Sequence, residues 1–81
     1  MPRETLNNLN RHLDNIAGVD ENLQAQFDAL KEHVQRGIDD EAHHPTLLDE
    51  LEEAVIQFGD DHPGLASALR SAINILSEGG V

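Results

Sequence analysis

"HPTLLDELEEAVIQF" (residues 44–58) and "HPGLASALRSAINIL" (residues 62–76) are one pattern written twice, 18 residues apart. His44 and Pro45 match His62 and Pro63. Leu47, Leu51, Ala54, Val55 and Phe58 match Leu65, Leu69, Ala72, Ile73 and Leu76. On a helix these apolar positions fall within about a third of the circumference, so what repeats is a core-facing stripe. The spacing predicts two amphipathic helices, over 46–59 and 63–77. Proline suits the first turn of each, because its missing N–H would have no helical partner there. Acids ahead of that turn interact favourably with the positive end of the helix. Asp61, and Thr46 with Asp49 three positions on, read as capping arrangements.

The outward faces of the two helices differ. The first of the pair shows Asp49, Glu50, Glu52 and Glu53 to solvent. The second shows Ser67, Arg70, Ser71 and Asn74, while Ala66, Ala68 and Ile75 widen its apolar arc to about half the circumference. That arc, built partly from small side chains, predicts the most buried helix of the chain. "SEGGV" should end it, with Gly79 as a left-handed cap and Val81 folding back on the last turn.

Two further stripes precede this pair. Leu6, Leu9, Leu13 and Ile16 are spaced 3, 4, 3; Leu23, Phe27, Leu30 and Val34 are spaced 4, 3, 4, with Ile38 beyond. Ile16 and Leu23 lie seven apart, so one unbroken helix with a coiled-coil seam is an alternative. It would turn Asp20 inward and place Gly18 inside a helix, the latter at a cost of about 1 kcal/mol. Two helices, 4–17 and 20–37, are therefore preferred, with Gly18 closing the first, Asp20 capping the second and Gly37 marking its end.

These segments make a single all-α domain, residues 1–81, of two helical hairpins. Two Phe and no Trp or Tyr leave the core to Leu, Ile, Val and Ala, which bury modest area at roughly 25 cal/mol per Å². A chain this small usually needs a disulfide, a metal or a partner subunit, and it has no cysteine. A homodimer is accordingly preferred to a lone four-helix bundle.

Sixteen acids against five Lys plus Arg give a formal net charge of −11. That charge keeps the chain soluble and argues against direct contact with nucleic acid or an anionic membrane. No stretch is long and apolar enough to span a bilayer or to form a signal-peptide core, so a cytoplasmic location is expected.

"DDEAHHP" (residues 39–45) and "DDHP" (residues 60–63) raise the question of a site. Asp40, His43, His44 and His62 are the candidate metal ligands, should the two stretches be neighbours. Di-metal carboxylate bundles repeat Glu-x-x-His on inward faces and add two further Glu; here the spacing occurs once, beside a proline. Helix-start signals explain the residues better, so no metal and no cofactor is expected. Ser67, Ser71 and Ser77 have no neighbouring histidine in sequence, no phosphate-binding glycine loop is present and Lys31 is the one lysine. No enzyme is expected.

Ile56 lies opposite its apolar stripe among acids, and with Ile75 it is a candidate contact for a second chain. Residues 38–69 hold nine acids and no Lys or Arg, which could attract a basic protein. The expected function is a non-enzymatic, acidic protein–protein interaction module that associates with itself or another protein. The alternatives are a metal- or pH-responsive protein using 39–44 and 60–62, and an acidic mimic of nucleic acid.

"FGDDHPGLASALRSAINILSEGGV", with Phe58, His62, Pro63, Leu65, Ala66, Leu69, Arg70, Ile73, Leu76, Gly80 and Val81, resembles the closing pattern of an uncharacterised family of short bacterial helical proteins. "MPRETL" and "VDENL" are also similar to that family. The resemblance implies a small helical protein and, as the family has no assigned catalytic residues, transfers no functional position.

Overall fold

The computed structural model describes residues 2–79, with the side chains of residues 3–78. Its helices are α1 (Pro2–Asp14), α2 (Gln24–Asp39), α3 (His44–Phe58) and α4 (Pro63–Gly79), with 3₁₀ turns at Glu21–Leu23 and Glu41–His43. The described residues contain no strand. The fold is all-α, in the four segments that the apolar stripes mark out.

The chain breaks between α1 and α2 instead of running through. Gly18 sits at φ +76°, a left-handed conformation open to glycine. The Asp20 carboxylate accepts the Asn22 N–H at 2.9 Å and caps the turn that leads into α2. α1 ends three residues earlier than expected, because the chain tightens after Asp14. The Asn15 N–H is shared between the Arg11 and His12 carbonyls, and the Ile16 N–H reaches back to the Leu13 carbonyl. Ile16 still packs against the core from this connection, as do Val19 and Leu23.

Each helix packs against two others: α1 and α3 both lie against α2 and α4. Contacts at the two ends show that sequential helices are antiparallel. Leu6 and Leu47, near the starts of α1 and α3, meet Gly37 near the end of α2. At the other end Phe27 and Phe58 meet edge to face, with centroids 5.7 Å apart and an interplanar angle of 76°. The bundle measures 35 × 19 × 19 Å.

The core draws on all four stripes: Leu6, Leu9 and Leu13; Phe27, Leu30 and Val34; then the repeated positions of α3 and α4. The repeat holds residue by residue. Leu47, Leu51, Ala54 and Phe58 are buried, as are their matches Leu65, Leu69, Ala72 and Leu76, while Val55 and Ile73 both sit at the core's edge. α4 also buries Ala66 and contributes the most buried residues of any helix, as its wide arc predicts. Among the described residues no polar side chain is buried. The buried cluster is drawn from all four helices of the one chain.

Several ends differ from expectation. Gly37 does not stop α2, which continues to Asp39; it is buried inside the last turns of the helix. α3 starts at His44, so Thr46 lies inside its first turn and the capping box with Asp49 does not form. The His62 carbonyl accepts the Ala66 N–H at the start of α4, and among the described residues the Asp61 side chain makes no hydrogen bond. α4 runs on to Gly79, so that glycine belongs to the helix, and the expected fold-back of Val81 lies outside the described residues.

Gly37 leaves room for the side chain of Leu47. A Cβ there would collide with Cδ2 of Leu47, itself fully buried, and would lie 3.6 Å from Leu6 Cδ1. Alanine ordinarily gains up to about 1 kcal/mol over glycine inside a helix, but overpacking a filled core costs about 1–3 kcal/mol. Gly37→Ala should therefore lower the thermal midpoint, by about 4–8 °C for each kcal/mol of net loss. Calorimetry finding an unchanged or raised midpoint would show that Leu47 yields freely.

Candidate functional site

The α2–α3 junction concentrates the polar chemistry of the molecule. Asp40 has extended backbone, φ −142° and ψ 112°, and its N–H makes the last bond of α2, to the Arg36 carbonyl at 2.8 Å. Its carboxylate accepts the Ala42 N–H at 3.0 Å. One residue thus ends a helix and caps the turn that follows. His44 adds a second tie: its Nε2 lies 2.9 Å from the Gly37 carbonyl. A carbonyl can only accept, so Nε2 carries a proton and donates. The ring thereby satisfies one of the last carbonyls of α2, which has no partner within the helix.

His33 and His43 form a pair. His33 Nδ1 and His43 Nε2 are 2.9 Å apart, the ring centroids 5.1 Å apart and the planes 5° from parallel. The centroid separation is about the nitrogen gap plus two ring radii, so the imidazoles meet edge to edge instead of stacking face to face. One nitrogen donates and the other accepts. Glu50 Oε1 stands 4.0 Å from the opposite nitrogen of His33, Nε2. A carboxylate there favours a proton on Nε2, leaving Nδ1 to accept from His43.

The four candidate ligands do not converge. Asp40, His43 and His44 lie at the start of α3 and His62 lies beyond its end, about 20 Å away at 1.5 Å per residue. Asp40 is engaged in its cap and His44 on a carbonyl. The His33–His43 pair turns two nitrogens toward each other, while Glu50 faces the far edge of His33, so a third donor is missing on the shared side. Among the described residues no group of three or more His, Cys, Asp or Glu could hold a metal ion.

Next to this junction, α2 and α3 leave an open groove of about 310 Å³. Its floor is the core itself, at Leu30, Ala54 and Phe58. Gln26 and Ala29 border it on α2; Glu50, Glu53 and Gln57 border it on α3. No lysine or arginine lines it. His33 follows Leu30 by three residues on the same side of α2, so the His33–Glu50 approach closes the groove at the junction end. Glu50 belongs to both features.

Ile56 is 82% exposed and points away from the core, with Asp49, Glu52 and Glu53 one or two turns before it on the same face. Ile75 is half-buried on α4. It lies on the flank opposite Ala66, the residue that abuts the end of α3 at Gly59. With α3 and α4 antiparallel, the two isoleucines are also offset by about 9 Å along the bundle. The structure does not bring them into one patch. The groove and the histidine pair escaped sequence reasoning, because their members are 10 to 32 residues apart on different elements.

The family model described as Domain of unknown function (DUF4404) matches residues 3–81, and the chain belongs to that family. No curated protein and no solved structure matches it. The uncharacterised family anticipated from the sequence is in keeping with this match.

The His44 bond is testable apart from any function. His44→Ala should cost about 1 kcal/mol through the unpaired Gly37 carbonyl, lowering the thermal midpoint by about 4–8 °C. The matched His62→Ala removes a ring without a hydrogen bond and should stay within about 0.5 kcal/mol. Equal effects in a melting comparison would remove the distinction between the two histidines.

Proposed function

We propose that this member of the DUF4404 family is a non-enzymatic protein-interaction module acting through its acidic α2–α3 face. The groove carries the reading: it is an open depression of about 310 Å³ over the buried core residues Leu30, Ala54 and Phe58, between walls bearing Glu50 and Glu53. Recognition sites combine an apolar floor with a few placed polar groups in this way. Support for a non-catalytic role comes from the surface placement of the reactive residues. Ser67, Ser71 and Ser77 are exposed on α4, and none has a histidine within hydrogen-bonding distance among the described residues. No described helix is long and apolar enough to cross a membrane.

Self-association, expected from a shortage of core, loses that motive once the core closes within one chain. A second copy would also bring the same acids to the contact, at a net charge of −11 per chain. The partner is accordingly a different protein. A photo-crosslinking residue at Gln57, at the groove, is compared in cells with one at exposed Ser71 on α4. A discrete adduct from position 57 that is absent from position 71 is expected, with light scattering reporting a monomer at micromolar concentration. Adducts absent at 57, or identical at both positions, would overturn the reading, and a dimer cross-linked through 57 would restore self-association.

A second reading, a pH-responsive junction, is favoured by one observation: the His33–His43 hydrogen bond needs an acceptor nitrogen. When both rings are fully protonated neither can accept, and the bond becomes a repulsion. The charged neighbours are Glu50 across on α3, Asp40 and Glu41 beside His43, and Glu32 and Arg36 along α2. Acidification should shift the backbone resonances of residues 40–44, and His43→Gln should remove that change. Uniform shifts along the chain would end the reading.

A further inference from the structure

We infer that α1 is an exchangeable helix. Straightening the chain at residues 16–20 would join α1 and α2 into one helix and pass α1 to a second copy of this chain. The product is an exchanged dimer, and it is separate from the acidic-face interaction proposed above. From Leu6 to Val34 the apolar positions keep one 3-and-4 spacing straight through the turn, with Ile16 and Leu23 seven apart and Asp20 the one polar residue on the stripe. Ile16 and Leu23 pack against the core as the rest of the stripe does, so the stripe itself does not require a turn. The chain is also close to helical on both sides of it. The Asn15 N–H reaches the Arg11 carbonyl as in a helix, and a 3₁₀ turn resumes at Glu21. Two residues hold the turn closed. Gly18 at φ +76° suits it and is a poor helix residue. Asp20 caps the Asn22 N–H from an exposed position, whereas in a straight helix its carboxylate would lie on the apolar stripe.

A second copy offers α1 the same seat that its own chain does. α1 lies against α2 and α4. Outside the core it is tied to α2 by Asn10 and Gln35 at 3.5 Å and by Asp14 and Lys31 at 3.6 Å. The α2 and α4 of another copy can remake each of these contacts unchanged, which is why exchange of an element is a low-cost route to a dimer. Each chain carries a net charge of −11, but α1 sets Arg3 and Arg11 against Glu4 and Asp14 and so enters the partner with no net charge. A helix over 2–39 would be about 57 Å long at the helical rise, against 35 Å for the bundle, which places the two bundles end to end. His12 lies beside Gly64, so the α3–α4 turn is at the same end, and Asp20, Asp60 and Asp61 approach their counterparts at the joint. That repulsion, together with Gly18, favours the closed monomer in the unaltered chain.

The test removes both restraints in the full chain. Gly18→Ala with Asp20→Leu should turn a micromolar monomer into a dimer by light scattering, with higher helix content by circular dichroism. Gly18→Ala alone should tighten association by about thirtyfold, fivefold from each chain, through helix propensity. Asn10→Cys with Gln35→Cys, joined by a short bis-maleimide, reports which chain supplies α1, since no other cysteine is present. In the closed monomer the link forms within one chain; in the exchanged dimer it joins two chains, and a denaturing gel separates the outcomes. A double variant that folds but stays monomeric would overturn the inference. So would a dimer linked only within its chains, which is a surface contact. Should the double variant not fold, the otherwise unaltered chain with the two cysteines gives the same readout. Refolded at millimolar concentration and linked after dilution, it should yield joined chains that refolding at micromolar concentration does not. Links confined to single chains at both concentrations would overturn the exchange.

Discussion

The bundle depends on how closely α2 and α3 are forced together at their junction. Only residues 40–43 connect the two helices, and a connection that short leaves no slack for a bulky contact beside it. Gly37 makes the approach possible by presenting bare backbone to Leu47, and Leu6 of α1 packs into the same place. His44 then spans from α3 to the Gly37 carbonyl. Side chains from α1 and α3 thus converge on one glycine of α2. Further along, the two helices leave an open groove between them until Phe58 meets Phe27. The tight junction and the groove are two results of the same geometry.

Glu50 connects these parts. It borders the groove and faces His33, which is hydrogen-bonded to His43 in the junction. Glu50 thus couples the edge of the groove to the histidine pair. The opposite side of α2 is organised differently. There Lys31 lies 5.6 Å over the Phe27 ring and 3.6 Å from Asp14, so the sole lysine of the chain lies between α1 and α2, away from the acidic face. Exposed pairs of that kind contribute little stability, but this one leaves the α3 side without a cation of its own.

Much of the architecture was legible because it follows from periodicity. The repeat at Leu47 and Leu65, Leu51 and Leu69, Ala54 and Ala72, Phe58 and Leu76 is buried pair by pair, and the exposure of Ile56 follows from its phase. Gly18 and Asp20 were legible because a left-handed turn and a cap are local demands. Gly37 was not. A glycine near a helix end reads as a terminator, whereas its reason here is a neighbour ten residues on, across a turn. Thr46 and Asp49 matched a local motif that the earlier start of α3 displaced. The histidine pair was hidden for a related reason: its members occupy different elements. The available signal was that His33 shares a side of α2 with Leu30, and that so short a junction must bring His43 back beside it.

The unequal connections have a practical side. Around Gly18 the chain is open, with nothing within 4 Å of the space a side chain would fill, whereas every residue of the 40–43 link is committed to holding two helices in register. An epitope or a reporter spliced in beside Gly18 would hang clear of the hydrophobic interior and of the acidic groove alike. The same graft between Asp40 and His43 would pull apart the hinge on which both depend.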